Sequence, residues 1–156
     1  MADGLHVGRH MLKRVLFLCS GNYYRSRYAE ELFNHLATRE RLCWHAFSRA
    51  LRTDGLELNI GSISLLVIEG LRKKNIKSRT SSRFPLVCDL VDLKNAEVVI
   101  AMKEAEHRPL IRTRFPDKED LITYWHVDDI DCAQPQDALP QIDRLILELM
   151  PKLRER

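Results

Sequence analysis

Arg14-Val-Leu-Phe-Leu-Cys19-Ser-Gly-Asn-Tyr-Tyr-Arg25-Ser26 is the stretch from which the architecture can be read. Its first half is a short, unbroken apolar run, the pattern of a strand buried on both faces. A Ser-Gly-Asn turn signal ends that run. A helical pattern then opens at Ser26, with Ala29, Leu32, Phe33 and Leu36 on one face. Glu30 and Glu31 follow in its first turns, where the helix dipole favours acids. A buried strand that passes through a short loop into an amphipathic helix is the opening unit of an α/β fold with a parallel sheet.

The rest of the chain repeats this alternation. Cys43 to Phe47 reads as a second strand and Ile63 to Lys74 as a helix ending in Arg72, Lys73 and Lys74. Leu86 to Leu93 reads as a short helix and Glu97 to Met102 as another buried strand. A polar helix follows from Lys103 to about Arg112, then a short strand from Leu121 to Trp125. Gln141 to Leu153 closes the chain as an amphipathic helix with Ile142, Leu145, Ile146 and Met150 as its stripe. The expected fold is a three-layer α/β domain, with about four parallel strands and helices on both faces. Ligands of such sheets bind beyond the carboxyl ends of the strands, where Cys19 and Trp125 fall.

The chain has 156 residues, 45% of them apolar, which is enough for one domain with its own core. We read residues 1–12 as a flexible extension and residues 13–156 as the single domain. Val15 to Cys19 and Ile63 to Ile68 are the longest apolar runs, too short to span a bilayer. Met1 to Lys13 lacks the apolar segment of a signal peptide, so a cytoplasmic location with reduced thiols is expected. The four cysteines, Cys19, Cys43, Cys88 and Cys132, are scattered without metal-ligand spacing, and neither a metal nor a cofactor is implied. The formal charge of +3 is spread along the chain, which suits anionic substrates and argues against nucleic-acid or membrane partners. The oligomeric state leaves no mark on the sequence.

The loop itself carries the chemistry. Five residues separate Cys19 from Arg25, a length that lets successive backbone N–H groups converge into an anion-binding nest. The following helix adds its free N-terminal N–H groups. Gly21 permits backbone angles closed to other residues, and Asn22 tolerates the left-handed region better than most. Arg25 supplies a planar fork for two phosphate oxygens. Ser20, Gly21, Asn22, Tyr23, Tyr24, Arg25 and Ser26 thus form the expected phosphate-binding set. Cys19 at the base of this positive field is a nucleophile in waiting, with the Ser26 hydroxyl in position to donate to its sulfur. The absence of Gly-x-x-x-x-Gly-Lys excludes a nucleotide-binding phosphate loop of the Walker type.

Val15 to Glu30 resembles the signature of the low-molecular-weight protein tyrosine phosphatase family, a Cys-x5-Arg-Ser loop between strand and helix. The similarity extends more weakly from about residue 13 over most of the chain. The family is related to thioredoxin-coupled arsenate reductases. Ser48 sits where the family places a serine after its second strand, and Val98 to Met102 resembles its third central strand. Trp125-His-Val-Asp-Asp129 resembles the segment carrying the general-acid aspartate. The resemblance implies a phosphomonoester hydrolase acting through a cysteinyl-phosphate, on a phosphorylated protein or a small phosphomonoester. Cys19, Arg25 and Asp129 would be its catalytic residues. A single carboxylate at the mouth can protonate the leaving group and later activate water; Asp129 is the best match by position, with Asp128 and Asp131 as neighbours.

The chain departs from the family at three places. Asp129 is followed by Ile130 and Asp131 rather than Pro-Tyr, so the tyrosines that cradle an aromatic ring in relatives are absent. Tyr24 replaces the loop's second cysteine. Thr80 takes the position of a histidine that buttresses the loop asparagine. Two other readings share this loop: a thiol-dependent arsenate reductase, which needs two more cysteines in relay, and a non-catalytic phosphate or phosphoprotein sensor.

Overall fold

Lys13–Cys19 forms the strand that organises the molecule, and five of its seven residues, Val15 to Cys19, are buried. The computed structural model describes residues 6–7, 10–130 and 134–156. We number its elements β1 (Lys13–Cys19), α1 (Arg25–Arg39), β2 (Trp44–Ala50), α2 (Leu65–Arg72), α3 (Leu90–Lys94), β3 (Val98–Ala101), α4 (Glu104–Arg114), β4 (Thr123–Tyr124) and α5 (Pro135–Arg154). The four strands form one parallel sheet in the order β2-β1-β3-β4, as the alternation of short apolar runs and helices predicts. A two-residue antiparallel pairing of His6–Val7 with His10–Met11 precedes the sheet; most of the expected flexible extension lies outside the described residues.

Side-chain alternation along β1 builds both layers. Val15, Phe17 and Cys19 point into a core with Ala29, Leu32 and Phe33 of α1 and Ile142, Ile146 and Met150 of α5. Leu16 and Leu18 point the other way, to Leu93 of α3 and Ile111 of α4. Phe17 sits edge-on to Phe33 at 6.1 Å and tilted against Trp125 at 5.7 Å. Each such fully buried side chain contributes roughly 1.5–3 kcal/mol from water exclusion alone.

Three segments depart most from the sequence reading, beyond shifts of one or two residues at other element ends. β2 runs to Ala50 rather than Phe47, because Ser48, Arg49 and Ala50 pair with Phe17, Leu18 and Cys19. Leu86 to Cys88 are not helical: the Ala50 N–H donates to Leu86 O at 2.7 Å and the Cys88 N–H to Ala50 O at 2.8 Å, so this segment runs beside the end of β2. α3 begins only after Asp89, which forms a capping box with Asp92. α5 starts at Pro135 rather than Gln141, since proline at the first helical position costs no ladder bond.

The carboxyl ends of the strands lie at one edge of the sheet. Beyond it the chain keeps zipping: Leu51 N–H donates to Cys19 O at 2.9 Å, Arg52 N–H to Ser20 O at 3.0 Å and Val127 N–H to Met102 O at 2.8 Å. These bonds bring residues 20–25, 51–52 and 127–129 to one place. Among the described residues no helix is long and apolar enough to cross a membrane.

Candidate active site

The loop after β1 curls around one buried polar residue. Asn22 is fully buried and takes a left-handed backbone (φ 50°), the conformation its short amide side chain tolerates. Gly21 lies outside the positive-φ region, and Asn22 is the loop residue that uses the left-handed backbone. The Asn22 amide donates to Ser26 Oγ and to Ser48 Oγ, each at 2.9 Å, and its carbonyl oxygen accepts from the Leu86 N–H at 3.1 Å. With Asn22 donating to it, the Ser26 hydroxyl is free to point its own proton at Cys19 Sγ, 3.0 Å away. The serine is in position to donate to the sulfur.

Ser48 sits within β2 rather than after it, and passes the network on by donating to Glu30 Oε1 at 2.5 Å. α1 begins at Arg25, so Glu30 and Glu31 lie beyond its first turn, and both are buried. They are therefore anchors rather than dipole partners. Glu30 pairs with Arg83 at 3.2 Å, and Glu31 accepts from the Arg79 and Thr80 N–H groups at 3.0 and 3.1 Å. Thr80 hence serves Glu31 and Arg27, not the loop asparagine. Arg83, which donates to Ser48 Oγ at 3.1 Å, supplies the buttress instead. Arg27, fully buried, ties α1 to the carbonyls of Ser62, Thr80 and Arg83 at 3.0, 2.8 and 2.9 Å.

No side chain caps the N-terminus of α1, so its first N–H groups face the loop interior unclaimed by a capping group. A cavity of about 260 Å³ opens there, lined by Cys19, Ser20, Gly21, Tyr23, Tyr24 and Arg25 of the loop together with Arg52, Leu56, Asn59, Asp129 and Ile130. Tyr24 packs into the core, and burial, then the nearby Asp129 charge, push its phenol up to about 12. It is a neutral group at working pH.

Arg25 is 1% exposed and held in a fork-on-fork pair with Glu106, at 2.7 and 2.9 Å, and by Val127 O at 3.0 Å. Asp129 Oδ2 lies 3.4 Å from the same guanidinium. Asp128 turns away to Lys103. Asp131 and Cys132 fall outside the described residues. Behind Arg25, Glu106 also accepts from Ser20 Oγ, and His107 Nε2 reaches that hydroxyl at 3.1 Å. His107 Nδ1 accepts from the Lys103 N–H at 2.9 Å, which fixes the proton of the neutral ring on Nε2. Burial, opposed by Glu106, holds the imidazole below its ordinary value.

Sequence reasoning placed Cys19, Asn22, Arg25, Ser26, Ser48 and Asp129, and the fold brings all six together. It missed Glu106, His107, Arg83 and Arg27, whose partners lie far along the chain. The one signal in the sequence was that Glu106 and His107 follow the strand end at Ala101 by a single turn.

Burial alone would push the Glu106 carboxyl up. Hydrogen bonds from His107, Arg25 and Ser20, with the Arg25 charge, outweigh it and hold the group well below the usual carboxylate range. Because the folded state depresses this acidity, the stabilisation is complete above the unfolded value of about 4.3 and fades as pH falls toward the folded one. Glu106→Gln should therefore cost about 1–2 kcal/mol at neutral pH, the solvent access of Glu106 keeping it at the low end for a charged pair. Urea denaturation across pH should show the gap between variant and wild type closing below about pH 4.

Comparison with known proteins places these observations. A family profile described as low molecular weight phosphotyrosine protein phosphatase matches residues 14–135. The fold is similar to a low molecular weight protein tyrosine phosphatase from T. tengcongensis, with a TM-score of 0.76, 25% identity, 90% of this chain covered and 99% of that one. It is similar to YfkJ from Bacillus subtilis, with a TM-score of 0.81, 23% identity and coverage of 95% and 98%. The YwlE arginine phosphatase from Geobacillus stearothermophilus aligns with a TM-score of 0.72, 22% identity and coverage of 92% and 94%. No curated protein sequence matches.

Proposed function

We propose that this chain, which belongs to the low molecular weight phosphotyrosine protein phosphatase family, hydrolyses phosphate monoesters through a phosphocysteine formed on Cys19. Membership makes it a cysteine-dependent phosphatase. The observation that carries the mechanism is the sharing of one cavity by Cys19, Arg25 and Asp129, with Ser26 Oγ 3.0 Å from the sulfur.

The substrate phosphate enters the nest, where loop N–H groups, the α1 N-terminus and Arg25 match its oxygens. The Cys19 thiolate attacks phosphorus while the ester P–O bond breaks on the opposite side. Asp129 delivers a proton to the departing oxygen, so the leaving group exits as an alcohol or phenol. The same carboxylate then takes a proton from water, whose oxygen attacks phosphorus and displaces the sulfur as thiolate. Inorganic phosphate is released and Asp129 is again protonated. Glu106 keeps Arg25 charged and aimed, and Asn22 holds Ser26 so that its hydroxyl stabilises the thiolate leaving group of the second step.

Two observations weigh against the other readings. Cys88 is fully buried and its thiol is pushed up to about 12 by burial and then by Asp92, which makes it a poor relay for arsenate reduction. Asp129 lines the cavity beside Arg25, whereas a mere phosphate sensor has no use for a carboxylate there.

Turnover of para-nitrophenyl phosphate tests the reading. The wild-type enzyme should hydrolyse it, and vanadate, which mimics the five-coordinate phosphorus, should inhibit competitively at concentrations well below those of phosphate. Absence of turnover, or indifference to vanadate, would refute it.

A further inference from the structure

The cavity holds two guanidinium groups, and the reaction accounts for only one. Arg25 lies at its base, 1% exposed and paired with Glu106, and is the one that meets the phosphate. Arg52 stands at the mouth, 53% exposed, with one loose ion pair among the described residues, to the exposed Asp54 at 3.8 Å. Such a surface pair is worth little. Its backbone is nonetheless fixed, since Arg52 N–H donates to Ser20 O at 3.0 Å. Its side chain has a seat: Gly55 takes a left-handed backbone (φ 73°), and a Cβ there would lie 3.0 Å from Arg52 Nη2. The glycine leaves room for the guanidinium to rest over the turn and face the cavity. The loop that carries it continues into Leu58 and Ile60, which are 81% and 89% exposed. A small phosphate ester bound in the cavity would leave these aliphatic side chains bare, whereas an extended peptide running along the loop would cover them.

We propose that Arg52 is a specificity-determining residue that selects phosphorylated protein segments with an acidic side chain beside the phosphorylated residue. The phosphate goes to the nest and Arg25, and the flanking carboxylate displaces Asp54 from the Arg52 fork. This rests on the hydrolase reading above, because it concerns the leaving-group side of the same cavity. It departs from relatives' use of tyrosines after the acid: here Leu56 and Ile130 line the wall beside the loop's own Tyr23 and Tyr24, and the discriminating group is a cation.

The test uses two tyrosine-phosphorylated peptides that differ only in flanking Glu versus Gln, together with para-nitrophenyl phosphate, which carries no second anion. Wild type should favour the Glu peptide in kcat/KM by about three- to tenfold at low salt, and less at high salt. Arg52→Ala should bring the ratio near one, Arg52→Glu should invert it and Arg52→Lys should keep part of it. A wild-type ratio of one, or an Arg52→Ala variant that keeps the preference, overturns the proposal. So does an equal loss on all three substrates, which would make Arg52 a phosphate ligand. If wild type turns over none of them, the hydrolase reading fails. The same peptide ratio is then read as equilibrium binding to Cys19→Ser protein, with and without Arg52→Ala, and its absence there overturns the Arg52 proposal separately.

Discussion

Replacing Cys19 by serine should reduce turnover of any phosphomonoester by on the order of 10⁴–10⁶-fold, while leaving the anion site able to bind. A serine hydroxyl at this position is neither ionised nor next to a base that could ionise it. Its nearest polar neighbour is Ser26 Oγ, a donor arranged for a negative sulfur. The nest, by contrast, is made of backbone N–H groups, the start of α1 and Arg25, none of which the substitution removes. Isothermal titration with phosphate, which needs no bond to the sulfur, should therefore return affinity within a few-fold of the wild type's. Loss of binding together with activity would mean that the loop had collapsed, and retained activity would remove Cys19 from the chemistry altogether.

Asp129→Asn should slow hydrolysis of poorly activated esters by about 10²–10⁴-fold, the usual worth of a positioned acid or base. The cost should shrink with leaving-group acidity, because a nitrophenolate hardly needs its proton. A plot of log kcat/KM against leaving-group pKa should accordingly be steeper for the variant. Asp128→Asn should cost much less, since that carboxylate is turned to Lys103. Equal effects at both positions would assign the acid elsewhere. A flat response at both would favour the phosphate-sensing reading over the enzyme.

The strand, loop and first helix were legible because their instructions are local. An apolar run, a turn signal and a helical stripe sit within twenty residues, and their order dictates a parallel sheet. The Cys-x5-Arg spacing dictates a nest for the same reason. What was not legible depends on pairing at a distance. Glu30 and Glu31 look like dipole-compensating acids until β2 and the 78–83 segment fold against them, when they become buried anchors. Leu86 to Cys88 carries a helical pattern, yet bonding to Ala50 overrides it. Glu106 gave no sign that it faces Arg25, because nothing near residue 106 says which guanidinium the strand order will bring.

The anchors of the loop also set when in folding the site comes into being. Asn22 is fixed by groups 26 and 64 positions away, and Arg25 by groups 81 and 102 positions away. The local bond from Asn22 to Ser26 is only part of this support, so the proposed nest is complete only after β2, the 86–88 segment, α4 and Val127 have docked. Contacts of such range are the slow ones to close. On refolding from urea, helical circular dichroism should recover first and vanadate binding last. At equilibrium, bound vanadate should shift the whole unfolding transition rather than protect one part of it. On this reading a partly folded chain lacks the proposed phosphate site.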